Sequence, residues 1–216
     1  MSALKERFIK ECIKEDGEEL KVYDPINLAR LIAVFAHEGQ FRVNNEPYWI
    51  HPGNMHQHFK AMFSTNEYPS ICYNIMGGLG FPTKGVEAVI WLHDVVEDTE
   101  TTQKDIREIF EMFGYLDYFD NYIDEPLKLI THNKKESYEE YVKKVLTSPT
   151  ASLVKMFDLM DNLYLFSLEK FSDYEYKRAI KYIKCFKMIN DKYHFIEKMK
   201  EYDHELNSPY KYEDWL

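Results

Sequence analysis

Four ionisable residues, His93, Asp94, Glu97 and Asp98, are packed into the decapeptide WLHDVVEDTE, residues 91–100. On a helix, residues three and four apart share a face, so His93 aligns with Glu97, and Asp94 with both Glu97 and Asp98. The surrounding residues are apolar, which places the cluster on a helix that must be largely buried. Burying an unpaired carboxylate costs several kcal/mol, so such a group needs a positive charge among its members. A divalent cation meets that need with the fewest additional residues.

His93 and Asp94 are about 100° apart around a helix and can both bend toward one ion beside it. Two further ligands are available. His51 precedes Pro52, whose ring disfavours helical geometry for the residue before it, and is expected at a bend ahead of a new helix. Asp158 lies on the strongly apolar stretch Ala151 to Leu168. Two imidazoles and two carboxylates suit Mn, Fe, Ni or Zn rather than calcium, and leave positions open for water.

The elements that must hold these residues are helical. Residues 27–38, NLARLIAVFAHE, place Leu28, Leu31, Ile32, Phe35 and Ala36 at helical spacing, with Gly39 as terminator and His37 as a histidine of the core or beside the ligands. Asn44-Asn45 signals a turn, and a helix is expected from Met55 to about Phe63. The cluster itself sits in the second half of a helix from about Lys84 to Glu97, with Pro82-Thr83 as entry and N-cap. Thr102 and Asp105 form a variant capping box for a helix ending at Gly114. Further helices are expected over about 136–147 and 151–168, then two from Asp173 to about Leu206, with PYKYEDWL irregular. Gly77-Gly78-Leu79-Gly80 lacks the Gly-Lys-Ser/Thr of a phosphate loop and reads as a hinge.

With 45% apolar and 16% aromatic residues in 216, the chain can bury a sizeable core, and one domain over residues 1–216 is expected. Eight glycines and eight prolines are too few for a loop-rich sandwich, which favours helices. Cys12, Cys72 and Cys185 form no CxxC pair, so neither a disulfide framework nor a thiolate zinc site is indicated. A net charge of −10 disfavours duplex nucleic acid and anionic membrane as partners. The absence of an apolar run of about 20 residues and of a signal-peptide core points to a soluble, cytoplasmic protein.

In combination these segments resemble the HD-domain metal-dependent phosphohydrolases, and more narrowly the RelA/SpoT-type (p)ppGpp hydrolases, including the small alarmone hydrolases. The family's opening pattern is similar to AHEGQFRVNNEPYWIHP, residues 36–52. Its Leu-Leu-His-Asp-x-x-Glu-Asp-Thr pattern is similar to WLHDVVEDT, and its third motif to VKMFDLMDN, residues 154–162. Phe113-Gly114 and Ile130-Thr131 match two minor elements. The resemblance covers about residues 28–170, with a probable insertion over about 60–83 and additional C-terminal helices over 171–216.

The resemblance implies an all-α HD-domain helical bundle and hydrolysis of ppGpp or pppGpp at the 3′ pyrophosphate to GDP or GTP. It implies that His51, His93, Asp94 and Asp158 hold Mn2+, that Glu97 and Asp98 orient and deprotonate the attacking water, and that Arg42 clamps the guanine. It also implies that Asn162 contacts the sugar; Lys155 adds positive potential over the pocket. The insertion is a candidate surface for a protein partner. Two positions depart from the family: Leu159 replaces a basic residue and Asp161 a His or Tyr. They keep open another phosphohydrolase substrate, such as a deoxynucleotide, cyclic nucleotide or NADPH, or a non-catalytic binding module.

Overall fold

The computed structural model describes residues 3–12, 24–63, 76–166 and 172–206. The fold is all-α, with twelve helices and no strand among the described residues. No helix there is long and apolar enough to cross a membrane. The insertion's residues 64–75 and the C-terminal PYKYEDWL lie outside the described residues.

The chain begins with α1 (Ala3–Cys12) and α2 (Pro25–Ala36). Asp24 caps α2 by accepting from the Asn27 amide at 2.7 Å, and Pro25 occupies the first turn, where its missing N–H costs nothing. Beyond α2, Gly39 takes a left-handed φ of 76°. Residues 40–48 then fold into a short hairpin-like loop, with Arg42 N–H donating to Glu46 O (2.8 Å), Tyr48 N–H donating to Gln40 O (2.9 Å), and Asn45 at φ 64° in the expected turn. Side chains alternate along it: Phe41 and Val43 are exposed, whereas Arg42 between them is buried.

Helix α3 (Ile50–Phe63) starts five residues earlier than the spacing suggests. His51 therefore lies in its first turn rather than at a bend before it. Pro52 is the third helical residue, where no intrahelical amide bond is required. The expected helix over 84–97 is also revised. It is two pieces, α4 (Val86–Leu92) and α5 (Val95–Asp98), with His93 and Asp94 at the junction in helical backbone geometry. Its N-cap is Gly85 at φ 81° rather than Thr83, because the chain passes so close to Tyr122 that a Cβ at residue 85 would lie 2.3 Å from the Tyr122 carbonyl oxygen.

Helix α4 is the centre of the fold: of its seven residues only Glu87 is not buried. It packs against α2, α3 and α10 (Pro149–Phe166). Helix α6 (Gln103–Met112) carries the expected Thr102–Asp105 capping box. Two short helices, α7 (Leu116–Tyr122) and α8 (Asp124–Ile130), were not foreseen from the sequence; Phe119, Leu127 and Ile130 anchor them in the core. Helix α9 (Tyr138–Val145) begins two residues late because Ser137, with Glu140, closes a capping box. Helices α11 (Asp173–Tyr193) and α12 (Phe195–Leu206) are the last helices among the described residues, and α11 packs along α10.

Replacing Gly85 by alanine should destabilise the fold by more than about 2 kcal/mol, combining left-handed strain with the Tyr122 clash. A denaturant midpoint unchanged from the parent would contradict this.

Candidate metal centre

Helices α3, α4 and α10 each deliver part of one buried group. His51 comes from the first turn of α3, His93 and Asp94 from the α4–α5 junction, and Asp158 from the middle of α10. His51, His93 and Asp94 place one ligand atom each within 4.8 Å of one another, and the group can hold a metal ion. The His93 Nε2 atom lies 3.0 Å from Asp94 Oδ2 and 3.8 Å from Asp158 Oδ1. The His51 Nε2 atom lies 3.6 Å from Asp94 Oδ2 and 3.1 Å from Asp158 Oδ1. A cation bonded at about 2.1 Å holds neighbouring ligand atoms about 3.0 Å apart in an octahedron and about 3.4 Å in a tetrahedron. The observed spacings bracket those edges.

The tautomer of His93 carries the argument further. Its Nδ1 lies 2.8 Å from the Ile90 carbonyl oxygen, which can only accept, so the proton of the neutral ring is on Nδ1. The Nε2 lone pair then faces two carboxylates. Although Asp94 Oδ2 is near, it is poorly aligned, and Nε2 is buried without a hydrogen-bond partner. A lone pair and two anions in one buried space repel each other unless a proton or a cation stands between them. Burial by itself disfavours the imidazolium, yet Asp94 and Asp158 outweigh it and raise the His93 pKa from 6.5 to about 10. The cluster thus takes up a proton where a metal would otherwise sit.

His51 is oriented by a carboxylate instead. Its Nδ1 is 2.7 Å from Asp161 Oδ2, which directs Nε2 to the cluster, the arrangement that fixes imidazole ligands in many metal sites. Asp161 in turn accepts from Arg42 Nη1 at 2.7 Å and from Asn54 Nδ2 at 3.2 Å. Burial would push its carboxyl up, but His51 and Arg42 hold it below the ordinary carboxylate range. Asp161, one of the two departures from the family pattern, is therefore a buried positioning residue. The other, Leu159, is fully buried in the hydrophobic core.

Asp158 is held just as firmly. Lys155 Nζ donates to its Oδ2 at 2.7 Å, and Asn162 Nδ2 to its Oδ1 at 2.6 Å. Burial opposes its ionisation, but Lys155 and the two histidines keep it well below the usual carboxylate pKa. On α10 these residues follow helical spacing: 155, 158 and 162 share one face. Arg42, Lys155 and Asn162, expected at a substrate, are thus placed on the carboxylates of the centre. The two buried acids, Asp158 and Asp161, each have a cation of their own. Asp94 has only the imidazoles and one hydroxyl.

That hydroxyl belongs to Tyr48, a residue the sequence argument passed over although it lies within the EPYWIHP segment. It donates to Asp94 Oδ2 (2.8 Å) and reaches Asp98 Oδ2 (3.1 Å), while its ring stacks on His37 at 4.6 Å. Burial, then Asp94, raise its pKa, so it remains a donor. His37 is buried and its Nδ1 meets Gln40 Oε1 at 2.8 Å, as expected for a histidine beside the ligands rather than among them. Glu97 and Asp98 flank the group. Glu97 Oε2 accepts the His132 amide at 2.9 Å. Burial raises the pKa of both acids, and Asp94 pushes in the same direction.

No protein-family model matches the chain, and neither does any curated protein sequence. The assignment of the centre therefore rests on its own geometry.

Two outcomes follow for metal binding. Binding at neutral pH should release about one proton as His93 gives up its Nε2 proton, read from calorimetry in buffers of different ionisation enthalpy. Asp161→Asn should weaken binding about 10- to 100-fold. Without metal, His93 has a folded pKa above its unfolded value, so its contribution is complete below pH 6.5 and lost as pH rises toward about 10. The metal-free protein should therefore lose stability across that window, and flat chelator-treated melting temperatures there would count against the raised pKa of His93.

Proposed function

We propose that the chain is a metal-dependent phosphohydrolase acting on a nucleotide, and that its substrate is a guanosine polyphosphate alarmone cleaved at the 3′ pyrophosphate. The observation that carries the first part is the buried His93 Nε2 lone pair, fixed by Ile90 and aimed among carboxylates that a divalent cation would bridge. The second part rests on the resemblance of residues 36–52, 91–99 and 154–162 to alarmone hydrolases. The metal of that family is Mn2+, and His51, His93, Asp94 and Asp158 would hold it. Once bound it supplies Lewis acidity, acidifying a water and polarising a phosphoryl oxygen.

The chain's own groups divide the remaining work. Glu97 is anchored through one oxygen to the His132 amide, which leaves the other to accept a proton from water. Its raised pKa improves it as a proton acceptor that must later release the proton. Asp98 is partnered by Tyr48, which links it to Asp94 and fixes the spacing between water activation and metal ligation. Arg42, Lys155 and Asn162 keep Asp161 and Asp158 in position, so contraction or rotation of α10 would be felt at both imidazoles.

A second substrate class is favoured by one observation. Arg42 and Lys155 are spent on internal carboxylates, which leaves less positive charge for a pyrophosphate than the family resemblance implies. A phosphoester of lower charge, such as a deoxynucleotide or cyclic nucleotide, fits that balance.

Anion-exchange chromatography of ppGpp incubated with Mn-loaded protein should show GDP and pyrophosphate, and none with EDTA present. Glu97→Ala should retain metal while turnover falls by about 10²- to 10⁴-fold. An unchanged ppGpp peak with metal bound, together with turnover of another nucleotide in a panel, would replace the alarmone by that substrate.

A further inference from the structure

Asp98 closes α5 and is exposed, so its carboxylate would be free to turn among rotamers were it not held at two points. Its backbone carbonyl accepts from Gln40 Nε2 at 3.0 Å, and its Oδ2 lies 3.1 Å from the Tyr48 hydroxyl, which donates to Asp94. Gln40 and Tyr48 belong to the short loop after α2, and both lean on one residue, His37. The Tyr48 ring stacks on the His37 imidazole with centroids 4.6 Å apart and planes 28° from parallel. Gln40 Oε1 meets His37 Nδ1 at 2.8 Å. The backbone repeats these links: the Gln40 amide donates to His37 O at 3.1 Å, and the Tyr48 amide to Gln40 O at 2.9 Å.

Hydrogen-bond polarity along this path is fixed. A backbone carbonyl can only accept, so Gln40 turns its amide nitrogen to Asp98 and its oxygen to His37. His37 Nδ1 therefore carries the proton, and Nε2 presents a lone pair. Burial lowers the His37 pKa against the opposing pull of Gln40 and Asp94, which keeps the ring neutral in this form. Nε2 is buried and has no hydrogen-bond partner among the described residues. An apolar ring in the same place would carry no such penalty. What a histidine offers here and a phenylalanine does not is the Nδ1–H donor to Gln40.

We propose that His37 is a positioning residue of the metal centre: its ring supports Tyr48 and its Nδ1–H orients Gln40, so that Asp98 is held from both ends at a fixed distance from Asp94. This rests on the metal reading of the centre and goes beyond it. His37 acts through other residues, through Tyr48 on Asp94 and through Gln40 on Asp98.

The test combines a metal-free spectrum of the full-length protein with Mn2+ affinities. Nitrogen NMR of isotope-labelled histidines, assigned through the backbone resonances, should show His37 at neutral pH with a protonated Nδ1 and a bare Nε2, and this readout needs no variant to fold. Tyr48→Phe should weaken Mn2+ binding about tenfold, as loss of a hydrogen bond to a metal ligand does. His37→Asn puts an amide N–H in place of Nδ1–H and so keeps Gln40 while removing the ring. It should weaken Mn2+ about threefold in the parent and add nothing in the Tyr48→Phe background. A histidine that served packing alone would give losses that multiply, because its effect would not pass through the Tyr48 hydroxyl. A protonated Nε2 on His37, or losses that multiply, overturns the proposal. Absence of Mn2+ binding in the parent overturns the metal reading itself, whereas Mn2+ binding with multiplying losses overturns only the role of His37.

Discussion

Three carboxylates, Asp158 and Asp161 buried and Asp94 half-buried, meet two buried imidazoles, and the positive charge that such a group requires sets the terms for its surroundings. Lys155 and Arg42 neutralise two of the acids from behind. The third, Asp94, faces both Nε2 atoms and has no cation of its own. Leaving a half-buried carboxylate so is unfavourable, because it loses part of its hydration without a paired charge. The metal-free chain answers by holding His93 protonated to about pH 10. The same electrostatics that attract this proton suit the group to hold a metal ion, which His51, His93 and Asp94 could ligate.

Holding that group together is the task of α4. A seven-residue helix buried on nearly every side cannot rotate without breaking the core, so the residues that follow it, His93 and Asp94, are delivered with little freedom. The Ile90 carbonyl then sets the His93 tautomer from within the same helix. On α10, spacing of three and four residues brings Lys155, Asp158, Asp161 and Asn162 to neighbouring stripes, while Leu159 turns to the core. The loop before α3 completes the arrangement by alternation: Arg42 points in between exposed Phe41 and Val43. Orientation of the ligands is shared among the elements. His51 depends on Asp161, Asp158 on its own helix, and Asp94 on Tyr48.

Much of this was legible along the chain, because its causes are local. Helix periodicity marked α2, α6, α10, α11 and α12, and capping chemistry marked Thr102–Asp105. The expected ligands also come together: His51, His93 and Asp94 form one group and Asp158 stands within 3.1 Å of His51. The boundaries that shifted did so where long-range contacts prevail. Gly85 starts α4 because Tyr122 crowds it from 37 residues away in sequence. The short helices α7 and α8 exist because the core accepts Phe119, Leu127 and Ile130, and seven residues of modest periodicity do not announce a helix by themselves.

By itself the sequence determined which residues were available for chemistry: a histidine beside an acid on an apolar helix, a second histidine next to proline, and acids at helical spacing on α10. Residue type and local period suffice for that. Tertiary structure alone decided their partners. Asp161, a departure from the family pattern in sequence, became the support of His51; Arg42 was turned onto Asp161; and Tyr48 became the link between Asp94 and Asp98. Hydrogen-bond partners separated by 46 to 119 positions have no signature in local spacing, because only packing of α3, α4 and α10 against one another brings their atoms within 3 Å.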